Sequence, residues 1–494
     1  MSVLMINTNR SVPHIGPIGL EYVCNSLLRE NIEFDLVDLN FDREKVIYSK
    51  LQENNVDMVG ISMRNTDSLT LITTELFLPG YKKLVERIKN TKDCKVVFGG
   101  SGFSTMPREI LEYTGADFGV VSYGEEALPK LVRAVRKGGD LAKIDNLIWR
   151  KNGEFQINRC STGDYENIPV KRRNIVRNLS YYRTYGIGNI EDQRGCNRCC
   201  GFCCEIGSVG KKIVTRKIAY VIEELKEMKS MGIDHVYFAN SEFNVSDLKH
   251  RIEFCEQLIK SKVGITWTVS INPEPDTMPP KLLDLMKKAG CQEILMGADS
   301  GSNEILASME KGHTVEDTEK CTENMRKANI RPLPSYIIGW PGESSETIDK
   351  TFAHIKRCRY ETPVIFVGIR IFPNTKIARI AKDEGLIKTD ADLLYPVFYQ
   401  PERALREFAP IVRRKIKLLS DANCLYPTRG INFLNQLIQN VYLRGGFTSS
   451  GYADFIDRLN NLSWKEKMGL FTKTALDFAL PFRRRFIPIA ESDK

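Results

Sequence analysis

The sequence predicts an α/β protein in which a doubly wound parallel sheet precedes a partial β/α barrel and a mostly helical C-terminal segment. Three observations carry this reading. Short apolar strands alternate with amphipathic helical stretches from Ser2 to about Lys137. A second alternation of the same kind runs from Ile218 to Phe372. Between them lies QRGCNRCCGFCC, Gln193 to Cys204, which holds five of the chain's 13 cysteines. The expected divisions are 1–140 for the first domain, 141–185 for a linker, 186–388 for the barrel and 389–494 for the helical end.

In order, VLMIN (Val3 to Asn7), FDLVDL (Phe34 to Leu39), DMVGISM (Asp57 to Met63), KVVFGG (Lys95 to Gly100) and DFGVV (Asp117 to Val121) each read as a short buried strand. Helical patterns such as Leu20, Val23, Leu27 and Leu28 lie between them. In such a sheet the ligand sits beyond the carboxyl ends of the strands. Gly99-Gly100 and the SYGEE loop (Ser122 to Glu126) fall at two of these ends, where they either turn the chain or let backbone approach a ligand. LIWRKNGEFQINR (Leu147 to Arg159) reads as a hairpin turning at Asn152-Gly153, and the basic stretch VKRRNIVRN after it as the inter-domain connection.

The second series has Ile218, Val221, Ile222, Leu225 and Met228 on one helical face, then the strand HVYFA (His235 to Ala239). ITWTV (Ile265 to Val269), EILMGA (Glu293 to Ala298), PSYIIG (Pro334 to Gly339) and VIFVGIRIF (Val364 to Phe372) repeat the pattern. With one strand before Cys196 they make six βα units, whose ligands belong at the C-terminal strand ends. Beyond about Ile387 the alternation stops. Leu434, Leu437, Ile438 and Val441 then share a helical face, and FALPFRRRFIPI (Phe478 to Ile489) is either a solvated basic end or a contact for anionic lipid.

Composition sets the class. An excess of 71 Lys+Arg over 62 Asp+Glu gives +9, too mild at 494 residues to require nucleic acid, and none is expected as a partner. The opening MSVLMINTNR lacks a basic segment followed by a long apolar one, and no apolar run reaches bilayer-spanning length, so a cytoplasmic protein is expected. Outside the central loop the cysteines stand singly, which fits reduced thiols rather than a disulfide framework.

Within the loop, Cys196, Cys200 and Cys203 have the spacing CxxxCxxC, with Phe202 before the third. Four-iron clusters normally take four protein thiolates, so three on one loop leave an iron open to a small molecule. Cys196/Cys199 and Cys200/Cys203 also form back-to-back CxxC pairs, but adjacent pairs can hardly wrap one tetrahedral zinc. Cys199 and Cys204 fall off the register and receive no role.

The cysteine loop, followed by GADSGS (Gly297 to Ser302), MEKGHT (Met309 to Thr314), IIGWPGES (Ile337 to Ser344) and FPNTKIARIAKDEGLI (Phe372 to Ile387), resembles the radical S-adenosylmethionine (SAM) superfamily. PIGLEYV (Pro17 to Val23), VGISMRNTD (Val59 to Asp67), GGSGFSTMP (Gly99 to Pro107) and SYGEEALPKLV (Ser122 to Val132) are similar to the Rossmann-like cobalamin-binding domain attached to one class of these enzymes. The resemblance covers about 1–390. It implies a [4Fe–4S] cluster on Cys196, Cys200 and Cys203, with SAM on the open iron. One electron from an external reductant of flavodoxin or ferredoxin type would cleave SAM to a 5′-deoxyadenosyl radical. The SAM contacts it implies are Phe202, Asn240, Ser241, Glu242, Ser270, Gly339, Gly342, Glu343 and Asp299, the last standing where a glutamate is usual.

For cobalamin it implies Met63, Arg64 and Asn65 beneath the corrin, with Gly99, Gly100, Thr105, Gly124 and Glu125 along the nucleotide tail. The motif Asp-x-His-x-x-Gly, whose histidine ligates cobalt in many relatives, is absent: the only histidine before position 235 is His14, with Val12 two before it and Pro17 three after. Cobalamin is therefore expected without a histidine lower ligand. Arg64 has no lone pair to offer cobalt; it either disfavours loss of electrons from the metal or binds a propionate. The implied activity is methyl transfer from methylcobalamin to an unactivated carbon or phosphorus of a small-molecule or peptide substrate. Cyclisation, ring contraction or oxidation with the same cofactors is the alternative, and a cobalamin sensor or carrier with a degenerate barrel is the reading from another class.

Overall fold

A computed structural model describes residues 2–419 apart from 10–14, 54, 73 and 171, together with residue 424. His14, the helical face at Leu434 to Val441 and the basic stretch at Phe478 to Ile489 lie outside the described residues.

Strands β1 (Ser2–Asn7), β2 (Phe34–Asp38), β3 (Val56–Ser62), β4 (Lys95–Gly99), β5 (Phe118–Val120), β6 (Leu147–Lys151) and β7 (Glu154–Ile157) form one sheet in the order 2-1-3-4-5-6-7. Strands β1 to β5 are parallel, and β1 pairs with both β2 and β3. Connections therefore leave β1 and β3 toward opposite faces, which opens a crevice at their carboxyl ends. The loop that begins at Met63 leaves β3 there. The hairpin expected in the linker turns at Asn152-Gly153 as read, but it pairs antiparallel onto β5 and continues this sheet to Ile157. Strand β5 is only three residues long, and the fully buried Leu147 and Ile148 cover its otherwise open edge.

Next come β8 (Gly188–Ile190) and the antiparallel pair β9 (Gln193–Arg194) and β10 (Val214–Thr215), between which the cysteine loop is strung. They are followed by β11 (His235–Phe238), β12 (Thr266–Ile271), β13 (Cys291–Asp299), β14 (Arg331–Ile338) and β15 (Val364–Val367). β8 and β11 to β15 form the six-stranded, all-parallel sheet of the partial barrel, in the order 8-11-12-13-14-15. Val236, Phe238, Val269, Ile294, Met296, Tyr336, Ile338 and Ile365 are buried beneath the surrounding helices. The alternate residues Tyr237, Ser270, Leu295, Ser335, Ile337 and Phe366 are open to solvent, with Leu295 and Phe366 each 37% exposed. Central strands of a parallel sheet are normally covered on both faces, so these side chains line a hollow interior. At the start of β11 His235 is buried, its ring nitrogens 2.8 Å from Thr266 Oγ1 and 3.1 Å from Thr268 Oγ1. Burial lowers the His235 pKa to about 4 and keeps the ring neutral.

The two sheets share a core. Val59, Ile61, Val96, Phe98 and Phe103 belong to one apolar cluster with Ile305, Met309, Trp340, Ile369, Ile371 and Ile377 of the barrel. A buried polar staple reinforces it: Arg173, from the basic connection, lies 3.2 Å from Glu21 and 3.3 Å from Glu224, and Arg216 lies 2.5 Å from Glu224. Tyr22 donates to the same Glu224 at 3.1 Å. Desolvation holds the Glu21 carboxyl up at about 7 despite Arg173 beside it. Arg173→Met strips two buried carboxylates of this cation and is expected to cost about 3–5 kcal/mol in urea unfolding; a variant within 1 kcal/mol of wild type, about a fivefold change in the equilibrium, contradicts the staple. No helix among the described residues is long and apolar enough to cross a membrane.

Candidate active site

The cysteine loop is held by backbone bonds to the segments that follow it in sequence. Gly195 has φ +99°, and a Cβ there would stand 2.1 Å from the Lys212 carbonyl oxygen, so only glycine fits. The Cys196 N–H donates to Gly210 O at 3.0 Å and the Cys203 N–H to Cys200 O at 3.0 Å. The Gly201 N–H donates to Met309 O at 2.8 Å, and its carbonyl accepts from the Ile377 N–H at 3.0 Å. A Cβ on Gly201 would come within 2.7 Å of the Trp340 ring. MEKGHT, WPGE and NTKIA are thus the walls against which the loop is moulded.

Cys196 is buried, Cys200 half-buried and Cys203 exposed. Among the described residues these three sulfurs do not form a set lying within 4.8 Å of one another. Desolvation pushes the Cys196 thiol up to about 11 and the Cys200 and Cys203 thiols also upward; a bound metal reverses this by ionising them outright. Donors already face two of the sulfurs. The Glu205 N–H lies 3.4 Å from Cys203 Sγ and Lys311 Nζ 3.6 Å from Cys200 Sγ. Cys199 is exposed, and Cys204, pushed up to about 12 by burial, is influenced by the Asp67–Arg370 ion pair, 3.1 Å long, that joins the two sheets.

The residues expected around SAM gather beside this loop. Phe202 meets Trp340 edge-on with ring centroids 6.4 Å apart. Asn240 donates to Asp192 at 2.8 Å, and its own Oδ1 is buried without a partner, as is Asn272 Oδ1. Two unspent buried acceptors suit the amino and hydroxyl donors of SAM. Ser241 donates to Glu205 at 3.1 Å. Glu242 is paired to Arg198, which also grips Glu274 through an Nη2–Oε2 bond of 3.0 Å. Ser270 shares a 2.8 Å hydrogen bond with Tyr237. Asp299, at φ 55° beside a register shift between β13 and β14, lies 2.7 Å from Lys311. Gly339 and Gly342 have φ of +118° and +90°. The Gly339 N–H donates to Glu343 at 3.2 Å, and Thr347 donates to the other oxygen, so the Glu343 carboxylate is spent on its own strand-to-helix turn. Sequence reasoning missed Arg198, Asn272, Glu274, Tyr237 and Lys311. Lys311 stood in a quoted motif, but nothing in its spacing announced Asp299 as its partner.

On the other side, Met63, Arg64 and Asn65 lie against the turn after β4. The Met63 N–H donates to Gly99 O at 2.8 Å, the Gly102 N–H to Met63 O at 3.1 Å and Ser101 Oγ to Arg64 O at 3.0 Å. A Cβ on Gly100, at φ +104°, would stand 2.5 Å from Met63 O, and one on Gly102 2.7 Å from the Arg64 carbonyl. Gly100 is thus needed for loop-on-loop packing, and it fixes where Arg64 emerges. The Arg64 side chain is exposed, yet desolvation lowers its pKa and Tyr237 of the barrel acts on it, the combination of a group lining an internal cavity. Thr105 donates to Gly102 O at 2.7 Å within its own turn, and Gly124 packs beneath Val23. Glu125, expected at the nucleotide tail, is buried 2.7 Å from Arg194, which also lies 2.7 Å from Glu191 and over the Tyr165 ring. A buried guanidinium two residues before Cys196 needs that carboxylate more than an open groove does.

Residues 190–355 match the radical SAM superfamily and residues 6–132 the B12 binding domain. Tryptophan 2-C-methyltransferase of Streptomyces laurentii is 24% identical over 444 residues, covering 76% of this chain and 74% of its own length. An uncharacterized methyltransferase of Pyrococcus horikoshii is 26% identical over 386 residues, covering 76% and 80%. Among solved structures, the radical SAM methyltransferase TsrM from Kitasatospora setae, with cobalamin and [4Fe–4S] cluster bound, superposes with a TM-score of 0.84 at 23% identity over 97% of this chain and 100% of that one. The cobalamin-dependent SAM radical enzyme OxsB with aqua-cobalamin bound gives 0.68 at 15% identity over 98% and 80%.

Proposed function

We propose that this chain, which carries a B12 binding domain followed by a radical SAM domain, is a methyltransferase that moves a methyl group from cobalamin to an unactivated carbon of a small molecule. The observation that carries the reading is the direct packing of its two cofactor modules: Phe98 and Phe103, beside the loop after β3, share one apolar core with Met309, Trp340 and Ile377 of the barrel whose mouth bears the cysteines. When bound, cluster and SAM supply a 5′-deoxyadenosyl radical and cobalamin supplies the methyl group. Cys196, Cys200 and Cys203 hold the cluster, and Asn240 and Asn272 offer free acceptors to SAM. Met63 to Asn65 would lie under a bound corrin, where Arg64 would give cobalt no lone pair.

The hollow also speaks to the substrate. Leu295, Ile337 and Phe366 offer an apolar wall, and the Tyr237–Ser270 hydroxyl pair a single polar spot. A flat apolar body with one hydrogen-bonding group fits this lining, and the indole of tryptophan, the substrate bound in a TsrM structure, has that make-up. The electron comes from an external carrier of flavodoxin or ferredoxin type. With anaerobically reconstituted protein, SAM, cobalamin and candidate aromatic substrates, each methylated product is expected with one S-adenosylhomocysteine and with matching 5′-deoxyadenosine. Product formed without S-adenosylhomocysteine removes methyl transfer from consideration.

A further inference from the structure

We propose that the Lys311 ammonium tunes the cluster's reduction potential through its contact with the Cys200 sulfur, making the cluster easier to reduce than thiolate ligation alone would. This rests on the [4Fe–4S] cluster of the reading above. Lys311 is 5% exposed, with its Nζ 3.6 Å from Cys200 Sγ, 2.7 Å from Asp299 Oδ2 and 5.7 Å from the centre of the Phe202 ring. A buried ammonium–carboxylate pair is a poor way to gain stability, since apolar residues of similar volume commonly do as well or better. What an apolar pair could not do is hold a positive charge against a cluster ligand.

In its one-electron step the oxidised cluster, [4Fe–4S]2+, accepts an electron from the external carrier and becomes [4Fe–4S]1+, with no bond made and no proton moved. The added negative charge spreads onto the ligand sulfurs, and hydrogen bonds to those sulfurs are among the levers that set such potentials. Inside a protein a charge at this range acts far more strongly than in water. Asp299 and Glu242 oppose Lys311 at Cys200, but it is Lys311 that donates a hydrogen bond to that sulfur. Asp299 is itself held by Lys311, and Glu242 is paired with Arg198, which it shares with Glu274. Lys311 acts through Cys200 and is a positioning residue, not a catalytic one.

The test is an anaerobic redox titration, followed by the electron paramagnetic resonance of the reduced cluster, on the full reconstituted chain without SAM. It compares wild type with Lys311→Gln, Lys311→Arg and the double variant Lys311→Met/Asp299→Asn, which leaves no buried carboxylate unpaired. Lys311→Gln and the double variant are expected to lower the equilibrium constant for reduction about tenfold, which is about 59 mV more negative for a one-electron couple. Lys311→Arg is expected to stay near wild type. Equal potentials for the glutamine and arginine variants, or an unshifted potential in the double variant at full iron content, overturn the proposal. A wild-type chain that takes up no cluster overturns the cofactor reading instead.

Discussion

Cys196→Ala, Cys200→Ala and Cys203→Ala are each expected to abolish cluster assembly and SAM cleavage, whereas Cys199→Ala and Cys204→Ala retain both. The loop is fixed by main-chain bonds from Cys196, Gly201 and Cys203, none of which involves a thiol, so the alanine variants keep the fold. Only the ligand set changes. Removing a partner one shell out from a metal typically costs roughly 10–100-fold in affinity or activity, and removing a ligand from a set of three costs more. Iron content, brown absorbance and 5′-deoxyadenosine release should therefore fall together to background. Iron retained by Cys196→Ala, or lost by Cys199→Ala, would refute the CxxxCxxC assignment.

Arg64→Ala is expected to slow methyl transfer by roughly tenfold or more, a barrier change of about 1.4 kcal/mol, with little loss of bound cobalamin. Retention follows from the way the loop is held: its bonds to Gly99, Ser101 and Gly102 are made by backbone atoms of Met63 and Arg64, and the guanidinium contributes to none of them. The proposed place of Arg64 is beneath the corrin, where its guanidinium would supply no lone pair to cobalt and its removal would open that face to water. Arg64→His goes further. It places an imidazole where a lower ligand belongs, and the cobalt(II) resonance should gain splitting from a nitrogen nucleus. If Arg64→Ala methylates at the wild-type rate and Arg64→His leaves the cobalt spectrum unchanged, the loop is not under the corrin.

Most strands were legible because a buried parallel strand is a short apolar run between turn signals, and the residues from Val3 to Phe372 obey that rule. The cysteine loop was legible because sulfur spacing along the chain survives folding. What escaped was pairing at a distance. The turn at Asn152-Gly153 announced a hairpin and DFGVV a strand, but that the one pairs onto the edge of the other could not be told from local sequence. The same holds for Glu125, which reads as a loop residue beside glycine until Arg194, 69 positions later, is brought to it. Glu343 shows the converse, since its carboxylate serves the turn that positions Gly339.

The apolar cluster shared by Phe98 and Phe103 with Met309, Trp340 and Ile377 has a consequence for traffic. A B12 module tied to its neighbour by a flexible tether could carry the methyl group to a distant acceptor as a swinging arm. Here the module is packed onto the barrel through that shared core. With the residues that would hold cobalamin and cluster joined through one core, the methyl group would need no mobile carrier between them. SAM and substrate, rather than the module, would then do the travelling.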